Sequence, residues 1–429
     1  MAQTYKFGNG TWATKKGSTL AYNDQGENFK PLPFTTTRNS IGTRVNKEGL
    51  IEVVGNDVPR IDYTDSAKGV LLLENSSTNL VTYSEDFSQS YWNSGGVTVS
   101  SIDAISPDGT QNADLITEDT SNGFHLVYAG ASQVSGRTDT MSVFIKNVNA
   151  KYIQITSNNT TTLASKVIFD IELGVIDSEL FGTGTIENYG NGWYKLTVSG
   201  ASGSTGSTGV GFRFLDNLKN EQYTGDGLSS IYLWGFQYEA NSSYATSYIP
   251  TNDSTVQRAA ETCNDSGNSE VFNDSEGVLF ADISAFVGAG GGTRRIEVSN
   301  AVAASQYVRL QIANGDGSLY GIVNNGTQQF LFNATSFNAT LSNKISLKYK
   351  QNDFSLFLNG FEVGSSNVGN TFANGILTQA NFSSTLSEFY GKTKELGYYD
   401  TALTDLELET LTSYRSLNEL VTELNLNTL

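Results

Sequence analysis

Three tryptophans are the residues of this chain best suited to bind a ligand through their shape. Trp92, Trp193 and Trp234 carry broad flat rings that can stack on a sugar, while nearby amides or carboxylates hold its hydroxyl groups. Trp92 stands beside the turn Asn93-Ser94-Gly95-Gly96, so we expect it to be exposed and to bind a glycan. Trp193 and Trp234 lie in apolar strands, where large aromatic side chains usually fill the core.

Two polar loops later in the chain offer further residues for the same chemistry. Asp316 lies in Asn314-Gly315-Asp316-Gly317, and Asn325 lies in Asn324-Asn325-Gly326. Both side chains are placed to line a glycan site at the rim of a domain. Asp and Asn are also residues that turns favour for their own backbone geometry. The alternative, that these two residues only shape turns, therefore stays open.

The side chains available give little support for catalysis. Glycoside hydrolysis uses two carboxylates roughly 5–10 Å apart. Asp170 and Glu172 are the nearest candidates, and we interpret them as one solvated strand face. The chain has one histidine, His125, and one cysteine, Cys263, which argues against a Ser-His-Asp triad, a zinc site or a disulfide. We therefore expect no enzymatic activity and no cofactor.

The charge balance excludes several classes of partner. The 26 basic and 44 acidic residues give a net charge of −18 and a pI near 4.5, unlike proteins that bind nucleic acids. No apolar run approaches the ~20 residues of a transmembrane helix. Met1 to Lys6 lack the apolar core of a signal peptide. We expect neither nucleic-acid binding nor membrane insertion, and synthesis without a signal peptide.

Short apolar segments separated by Gly, Asn, Ser and Thr predict many β-strands. Residues 81–250 contain several such segments at the spacing of a sandwich. Residues 231–238 are apolar on both faces, which indicates a central strand. A second series starts near Gly277 and includes a hairpin around Asn359-Gly360. A single helix is predicted near the end, with Thr404 and Glu407 as its capping box.

Shifts in charge and proline content divide the chain into five parts. Residues 1–80 hold nine basic and eight acidic residues and predict an extended leader. Residues 81–250 and 276–415 are the two predicted sandwiches, joined by a polar linker at 251–275 that contains Cys263. Residues 416–429 predict a helical tail. Its apolar stripe consists of Leu417, Leu420, Val421 and Leu424.

Both sandwiches resemble known families. Residues 79–92, 190–194 and 231–251 resemble a carbohydrate-binding-module-like jelly roll. Residues 277–415, with their Asn359-Gly360 hairpin and the segment 395–404, resemble a laminin-G-like, concanavalin A-like sandwich. The resemblance implies an all-β chain of two antiparallel β-sandwiches, a jelly roll and then a concanavalin A-like domain, after an extended leader and before a short C-terminal helix. It also implies a structural calcium between the first segment and last strand of the jelly roll, where Asp86 and Glu239 fall.

Two segments of the leader are similar to leaders of tailed-phage fibre and virion surface proteins. They are residues 44–52 and 58–63. This resemblance implies a head or tail fibre, made in the host cytoplasm and displayed on the virion surface. It would bind other virion proteins through residues 1–80 and host-surface glycans through its sandwiches, as a homo-oligomer, with a trimer usual among fibres. The alternative is a capsid decoration or connector protein that uses lectin folds only for packing and binds no sugar.

Overall fold

Strands make up most of the structure. The computed structural model describes residues 3–158, 165–288, 292–301, 304–315, 317–335, 337–384, 387–414 and 421. Within these residues, one short α-helix and a 3₁₀ turn at Gln25–Glu27 accompany the strands. The structure thus confirms the predicted all-β class.

The strands are numbered along the chain. Those of the first 80 residues are β1 (Tyr5–Gly8), β2 (Thr14–Lys15), β3 (Ser18–Asn23), β4 (Lys30–Thr37), β5 (Gly42–Val45), β6 (Ile51–Val54), β7 (Arg60–Asp62), β8 (Val70–Leu73) and β9 (Ser77–Asn79). Those that follow, up to residue 258, are β10 (Asn93–Gly95), β11 (Val97–Ile105), β12 (Gln111–Glu118), β13 (Asn122–Gly123), β14 (Leu126–Gln133), β15 (Thr138–Asn147), β16 (Tyr152–Asn158), β17 (Ser165–Asp170), β18 (Val175–Phe181), β19 (Thr183–Gly190), β20 (Trp193–Ala201), β21 (Gly206–Leu215), β22 (Tyr223–Thr224), β23 (Ser230–Glu239) and β24 (Val256–Arg258). The last are β25 (Thr262–Asn264), β26 (Glu276–Ala285), β27 (Arg294–Ser299), β28 (Gln306–Ile312), β29 (Leu319–Asn325), β30 (Gln328–Ala334), β31 (Asn343–Lys350), β32 (Asp353–Leu358), β33 (Phe361–Ser366), β34 (Gln379–Asn381), β35 (Ser383–Ser384), β36 (Ser387–Glu388) and β37 (Gly391–Tyr399).

The chain forms two compact units, and both are discontinuous in sequence. The jelly-roll unit consists of Gly42–Val53 and Ser76–Arg258. The second sandwich unit consists of Met1–Ile41, Val54–Asn75 and Ala259–Leu429. The chain therefore passes between the units four times.

Two six-stranded antiparallel sheets face each other in the jelly-roll unit. One has the order β10-β14-β21-β16-β17-β18, and the other has the order β11-β12-β23-β15-β20-β19. Alternate residues of the strands fill the core between them, among them Val127, Ile155 and Phe212. Strand β23 lies between β12 and β15, which confirms the central strand predicted at residues 231–238. The chain crosses from one sheet to the other several times, for example from β14 to β15 and from β15 to β16, as the strands of a jelly roll do.

A twelve-stranded sheet and a five-stranded sheet form the second sandwich unit. The main path of the first is β25-β4-β3-β1-β37-β26-β31-β32-β33, and the second is β30-β29-β28-β27-β34. Their facing side chains make one core that includes Leu279, Leu347 and Val308. The hairpin predicted around Asn359-Gly360 is the β32–β33 pair.

The predicted leader at residues 1–80 is wrong, because these residues complete both units. Strand β1 pairs with β37 from Tyr5↔Tyr398 to Gly8↔Glu395, and Phe7 is buried in the core of the second sandwich unit. In the jelly-roll unit, Val45 and Ile51 from β5 and β6 pack with Trp193 and Trp234. The composition of this segment reflects its many turns, whereas its partners lie hundreds of residues away.

The predicted linker at residues 251–275 is also wrong. Strand β24 pairs with β9, and β25 pairs with β4 through Cys263↔Thr36. Cys263, Val271 and Phe272 are buried in the core of the second sandwich unit. The polar residues of this segment form turns around these short strands, so a polar composition alone did not indicate a linker.

A buried cluster of four charged side chains lies in the second sandwich unit. This ion cluster consists of Arg38, Arg60, Glu74 and Glu261, all nearly inaccessible to solvent. Glu261 accepts hydrogen bonds from Arg38 Nη1 at 2.7 Å and from Arg60 Nε at 2.9 Å. Arg60 Nη1 lies 2.8 Å from Glu74 Oε2. The two guanidinium charges are therefore balanced by two carboxylates within the core.

The helix α1 (Asp405–Thr412) begins where the capping box predicted it. Thr404 Oγ1 accepts from the Glu407 backbone N–H at 3.4 Å, and Glu407 Oε2 accepts from the Thr404 N–H at 2.9 Å. Leu408 packs on the outer face of the twelve-stranded sheet against Phe357 and Tyr399. The predicted tail at 416–429 lies outside the described residues, apart from residue 421. None of the described helical segments has the length and apolarity that crossing a membrane requires.

Candidate functional site

The outer face of one jelly-roll sheet brings an aromatic ring, small residues and charged groups together. Paired residues of antiparallel strands share a face, so the register places Tyr128, Gly211, Thr156 and Lys166 in one row across β14, β21, β16 and β17. With neighbouring strands ~4.8 Å apart, the ends of this row are about 14 Å apart. Between Tyr128 and Lys166 the row holds only glycine and threonine. We call this surface the Tyr128 face.

The ring of Tyr128 packs over Gly209 on the neighbouring strand, where the absence of a side chain leaves room for it. A Cβ atom added to Gly209 would lie 3.0 Å from Tyr128 Cδ2 and 3.6 Å from both Cγ and Cε2. A Cβ on Gly211 would lie 2.1 Å from the Val127 carbonyl oxygen. Tyr128 is 40% exposed, and it has no hydrogen bond or ring contact within the described residues. Among the described residues, nothing pairs with its hydroxyl group, and part of its side chain is open to solvent.

The next row of the Tyr128 face carries a cation that stacks on a second exposed ring, Phe124, just before β14. Leu126, Arg213, Gln154 and Ile168 form this row by register. The Arg213 guanidinium lies 5.1 Å from the ring centroid of Phe124, which is 40% exposed. Stacking therefore holds both groups in place next to the small residues of the first row.

One carboxylate, Glu221, bridges three side chains of the Tyr128 face. Its Oε1 accepts from Lys166 Nζ and from Gln154 Nε2 at 3.4 Å, and its Oε2 accepts from Arg213 Nη1. Burial alone would raise the pKa of Glu221, but the Lys166 hydrogen bond and the Arg213 charge outweigh it and hold that pKa below its usual value. Burial lowers the pKa of Arg213. The group carries one net positive charge at neutral pH.

Two polar atoms of the same row are buried without a partner. Gln154 is 1% exposed and its Oε1 has no hydrogen-bond donor, while Arg213 is 6% exposed and its Nε has no acceptor. A buried polar atom left unpaired costs free energy comparable to a lost hydrogen bond. Arg213, which carries the unused donor, and Gln154, which carries the unused acceptor, lie opposite each other on the neighbouring strands β21 and β16. Both atoms are closed to solvent in this arrangement, so they become available to a polar ligand only when a neighbouring side chain moves.

The structure places Trp92 in the core, so the prediction that it is an exposed stacking residue is wrong. Trp92 is 6% exposed, and its ring packs against Phe87 and Phe236 at 5.0 and 5.2 Å between centroids. Its Nε1 donates to the Tyr83 carbonyl at 2.9 Å. The adjacent turn suggested exposure, but the ring points inward. Trp193 and Trp234 are buried as expected.

Asp86 and Glu239, the candidate calcium ligands, have separate sets of partners. Asp86 accepts from Ser88 and Gln89 within its own loop. Glu239 is buried and accepts from Ser77 Oγ at 2.5 Å and from Thr246 Oγ1 at 2.6 Å. Within the described part of the chain, no three His, Cys, Asp or Glu side chains group closely enough to hold a metal ion. Among these hydrogen bonds the two carboxylates have no partner in common.

The other predicted residues fall into turns or outside the described residues. Asn325 holds a turn, with its Nδ2 donating to the Thr371 carbonyl at 2.9 Å and its Oδ1 accepting from Gln329 at 2.9 Å. Asp316 lies outside the described residues. Asp170 is buried and accepts from the Leu173 N–H at 2.9 Å, so it is not part of a solvated face with Glu172, which follows the end of β17.

The Tyr128 face was not predicted from the sequence, although one signal pointed to it. Gly209 and Gly211 are two residues apart inside β21, so both point to the same face. Glycine within a strand often marks a place where another group approaches closely. That group is Tyr128, and only the register of β14 with β21 identifies it.

No family model and no curated protein matches the chain. A CBM40 of the Ruminococcus gnavus IT-sialidase bound to α2,3 sialyllactose is 17% identical over 34% of this chain and 86% of that chain, with a TM-score of 0.29. Mouse laminin α1 domains LG4-5 are 9% identical over 66% of this chain and 89% of that chain, with a TM-score of 0.23. Trypanosoma rangeli sialidase is 12% identical over 92% of this chain and 82% of that chain, with a TM-score of 0.27. Because these TM-scores are below 0.5, the fold assignment rests on the sheets themselves.

Proposed function

We propose that this chain is a glycan-binding protein and that the Tyr128 face is its binding surface. The observation that carries this proposal is the Tyr128 ring, which packs over Gly209, is 40% exposed and has no hydrogen-bond partner for its hydroxyl among the described residues. A saccharide offers an apolar ring face for such an aromatic ring and hydroxyl groups for polar side chains. Arg213 and Gln154, with their unpaired donor and acceptor, stand in the adjoining row. We infer binding without catalysis.

We further propose that the protein is a head or tail fibre that displays this face on a virion surface to bind host glycans. The resemblance of residues 44–52 and 58–63 to phage leaders supports this role. A free tether at residues 1–80 is not part of the proposal, because these residues belong to folded sheets. Contacts with other virion proteins would use the surface of the folded units. Weak single sites would then act together through many copies.

The test compares the full chain with its Tyr128→Ala variant on an array of bacterial surface glycans. The variant removes the ring and leaves the strand register intact, so we expect the affinity for the bound glycan to fall about tenfold or more, or ~1.4 kcal/mol. Gly209→Val should have a similar effect, because its side chain would displace the ring. Phe361→Ala is the matched control, since Phe361 is an exposed aromatic residue of the other unit and its loss should change nothing.

Several outcomes would contradict glycan binding by this face. Wild-type protein that binds no glycan, even when coupled to beads in many copies, would exclude the function. Binding that Tyr128→Ala and Phe361→Ala leave equally intact would place the site elsewhere. Thermal unfolding of each variant shows whether a lost signal reflects a lost fold.

A role in packing alone is the second candidate, and one edge strand favours it. Strand β18 ends the first jelly-roll sheet, and Val175, Leu180 and Phe181 along it are exposed. An exposed apolar edge of this kind suits contact with a neighbouring subunit. A capsid decoration or connector protein would assemble through such a strand and would bind no sugar. Replacement of Leu180 and Phe181 by lysine would then disrupt assembly, while Tyr128→Ala would not.

A further inference from the structure

The side chains that hold Glu221 form a ready binding site for a carboxylate. Arg213, Lys166 and Gln154, which we call the fork, come from three adjacent strands and converge on the two Glu221 oxygens. The strands fix their positions, so the fork stays assembled when Glu221 leaves. Glu221 itself follows β21 in a loop and is partly exposed.

The hydrogen-bonding capacity of the fork exceeds what Glu221 uses. Within the described residues Arg213 donates one hydrogen bond, through Nη1, and its buried Nε donates none. Arginine has five N–H donors in a planar arrangement that suits two parallel bonds to one carboxylate. Lys166 makes one hydrogen bond of the three its ammonium group can donate. Glu221 thus occupies the fork without satisfying it.

The fork adjoins the ring on which a sugar would stack. Lys166 shares the row of Tyr128, and Arg213, in the next row, stacks on Phe124. Between them lie Gly211 and Thr156, which are small. A sugar on Tyr128 can therefore extend a substituent toward the fork over these two buried small residues.

From this juxtaposition we propose that the fork binds the carboxylate of an acidic saccharide and that Glu221 occupies it in the free protein. The proposal rests on the glycan-binding function of the Tyr128 face and adds the ligand class. Binding exchanges one carboxylate for another, so no charge is left unpaired in the fork. Glu221 then moves into solvent.

This exchange needs rotation of one side chain rather than opening of the loop. The loop at 216–222 is held independently by Asp216, which accepts from the Leu218 and Asn220 N–H groups at 2.9 and 2.8 Å. Lys219 further ties it to Asp177 on β18 at 2.7 Å. Neither contact involves Glu221.

The test measures binding of glucuronate and glucose, which differ only in the carboxylate at C6, to the full chain by calorimetry and ligand-observed NMR. Glu221→Gln removes the competing charge. We expect it to raise the affinity for glucuronate at least tenfold and to leave the affinity for glucose unchanged. Glu172→Gln, at an exposed acid of the same unit, is the matched control and should change neither.

Further variants make each result decisive. Lys166→Gln in the Glu221→Gln background should remove most of the gain for glucuronate. If Glu221→Gln fails to fold, Lys166→Gln alone should still lower glucuronate affinity several-fold relative to glucose. An unchanged glucuronate affinity in folded Glu221→Gln overturns the proposal, and so does an equal gain for both sugars. If the wild type binds no glycan on the array but Glu221→Gln still raises the affinity for glucuronate, the adhesive function is refuted. The proposal that the fork binds a carboxylate then stands on its own.

Discussion

The ion cluster makes one substitution, Glu261→Gln, sharply destabilising. Glu261 is buried and receives charged hydrogen bonds from Arg38 and Arg60, as well as the Glu74 backbone N–H at 3.0 Å. Glutamine keeps the shape of the side chain but removes its charge. The core would then hold two guanidinium groups against one carboxylate, Glu74.

Removing one partner of a buried ion pair costs about 3–5 kcal/mol, because the remaining charge stays in the core. We expect a loss of this size in the free energy of unfolding of the second sandwich unit. With a urea m-value of about 2–3 kcal/mol/M, the midpoint of that transition should fall by ~1–2.5 M. Urea unfolding of the full chain, followed by far-UV circular dichroism, measures this shift.

An exposed ion pair provides the matched control. Glu270 lies 3.2 Å from Lys30 in the same unit, with side chains 69% and 48% exposed. Glu270→Gln makes the same chemical change, but exposed pairs contribute only about 0–1 kcal/mol. If Glu261→Gln and Glu270→Gln lose equal stability, or if Glu261→Gln stays within ~1 kcal/mol of wild type, the cluster does not stabilise the fold as argued.

Two further predictions follow from the fold and from one buried acid. Deletion of residues 1–23 removes β1, β2 and β3, so β37 loses its partner on one side and β4 and β25 lose their connection to the rest of the twelve-stranded sheet. Limited proteolysis should then digest the second sandwich unit, and a protease-resistant second sandwich unit would contradict this. Burial raises the pKa of Asp114 from 3.8 to about 6. Between these two values the folded state keeps the proton that the unfolded chain has lost. The free energy of unfolding therefore falls as the pH rises from about 4 to 6. The measurement is the free energy of unfolding of the wild type and of Asp114→Asn at pH 4, 5, 6 and 7. The difference, wild type minus variant, should decline between pH 4 and 6 and then level off. A difference that does not change with pH would refute the raised pKa of Asp114.

Features that depend on neighbouring residues could be predicted from the sequence. The capping box of Thr404 and Glu407 is contained in four residues, and the structure has it where expected. The Asn359-Gly360 turn likewise specifies its own hairpin, because the turn type and the flanking strands are local. The apolar pattern of residues 231–238 predicted a central strand from burial on both faces.

Features that depend on distant pairing could not be predicted in this way. Gln3 Nε2 donates to Glu395 Oε1 across 392 residues of sequence, and nothing in the first 80 residues specifies such a partner. The Tyr128 face could not be predicted for the same reason, since Tyr128 meets Gly209 only through the register of β14 with β21. The prediction that Trp92 is exposed was wrong because an adjacent turn does not determine where a ring points.

The discontinuity of the jelly-roll unit limits how this protein can exchange parts with other genes. Recombination at two sites around Ser76–Arg258 would transfer the sheets but leave Gly42–Val53 behind, and with it Val45 and Ile51 over Trp234. Each passage of the chain between units also has a residue of the ion cluster near it in sequence. Every junction at which the jelly-roll unit could be replaced therefore lies close in sequence to a charge that the second sandwich unit needs. We expect variation in ligand preference to arise by point substitution on the Tyr128 face rather than by transfer of a whole unit.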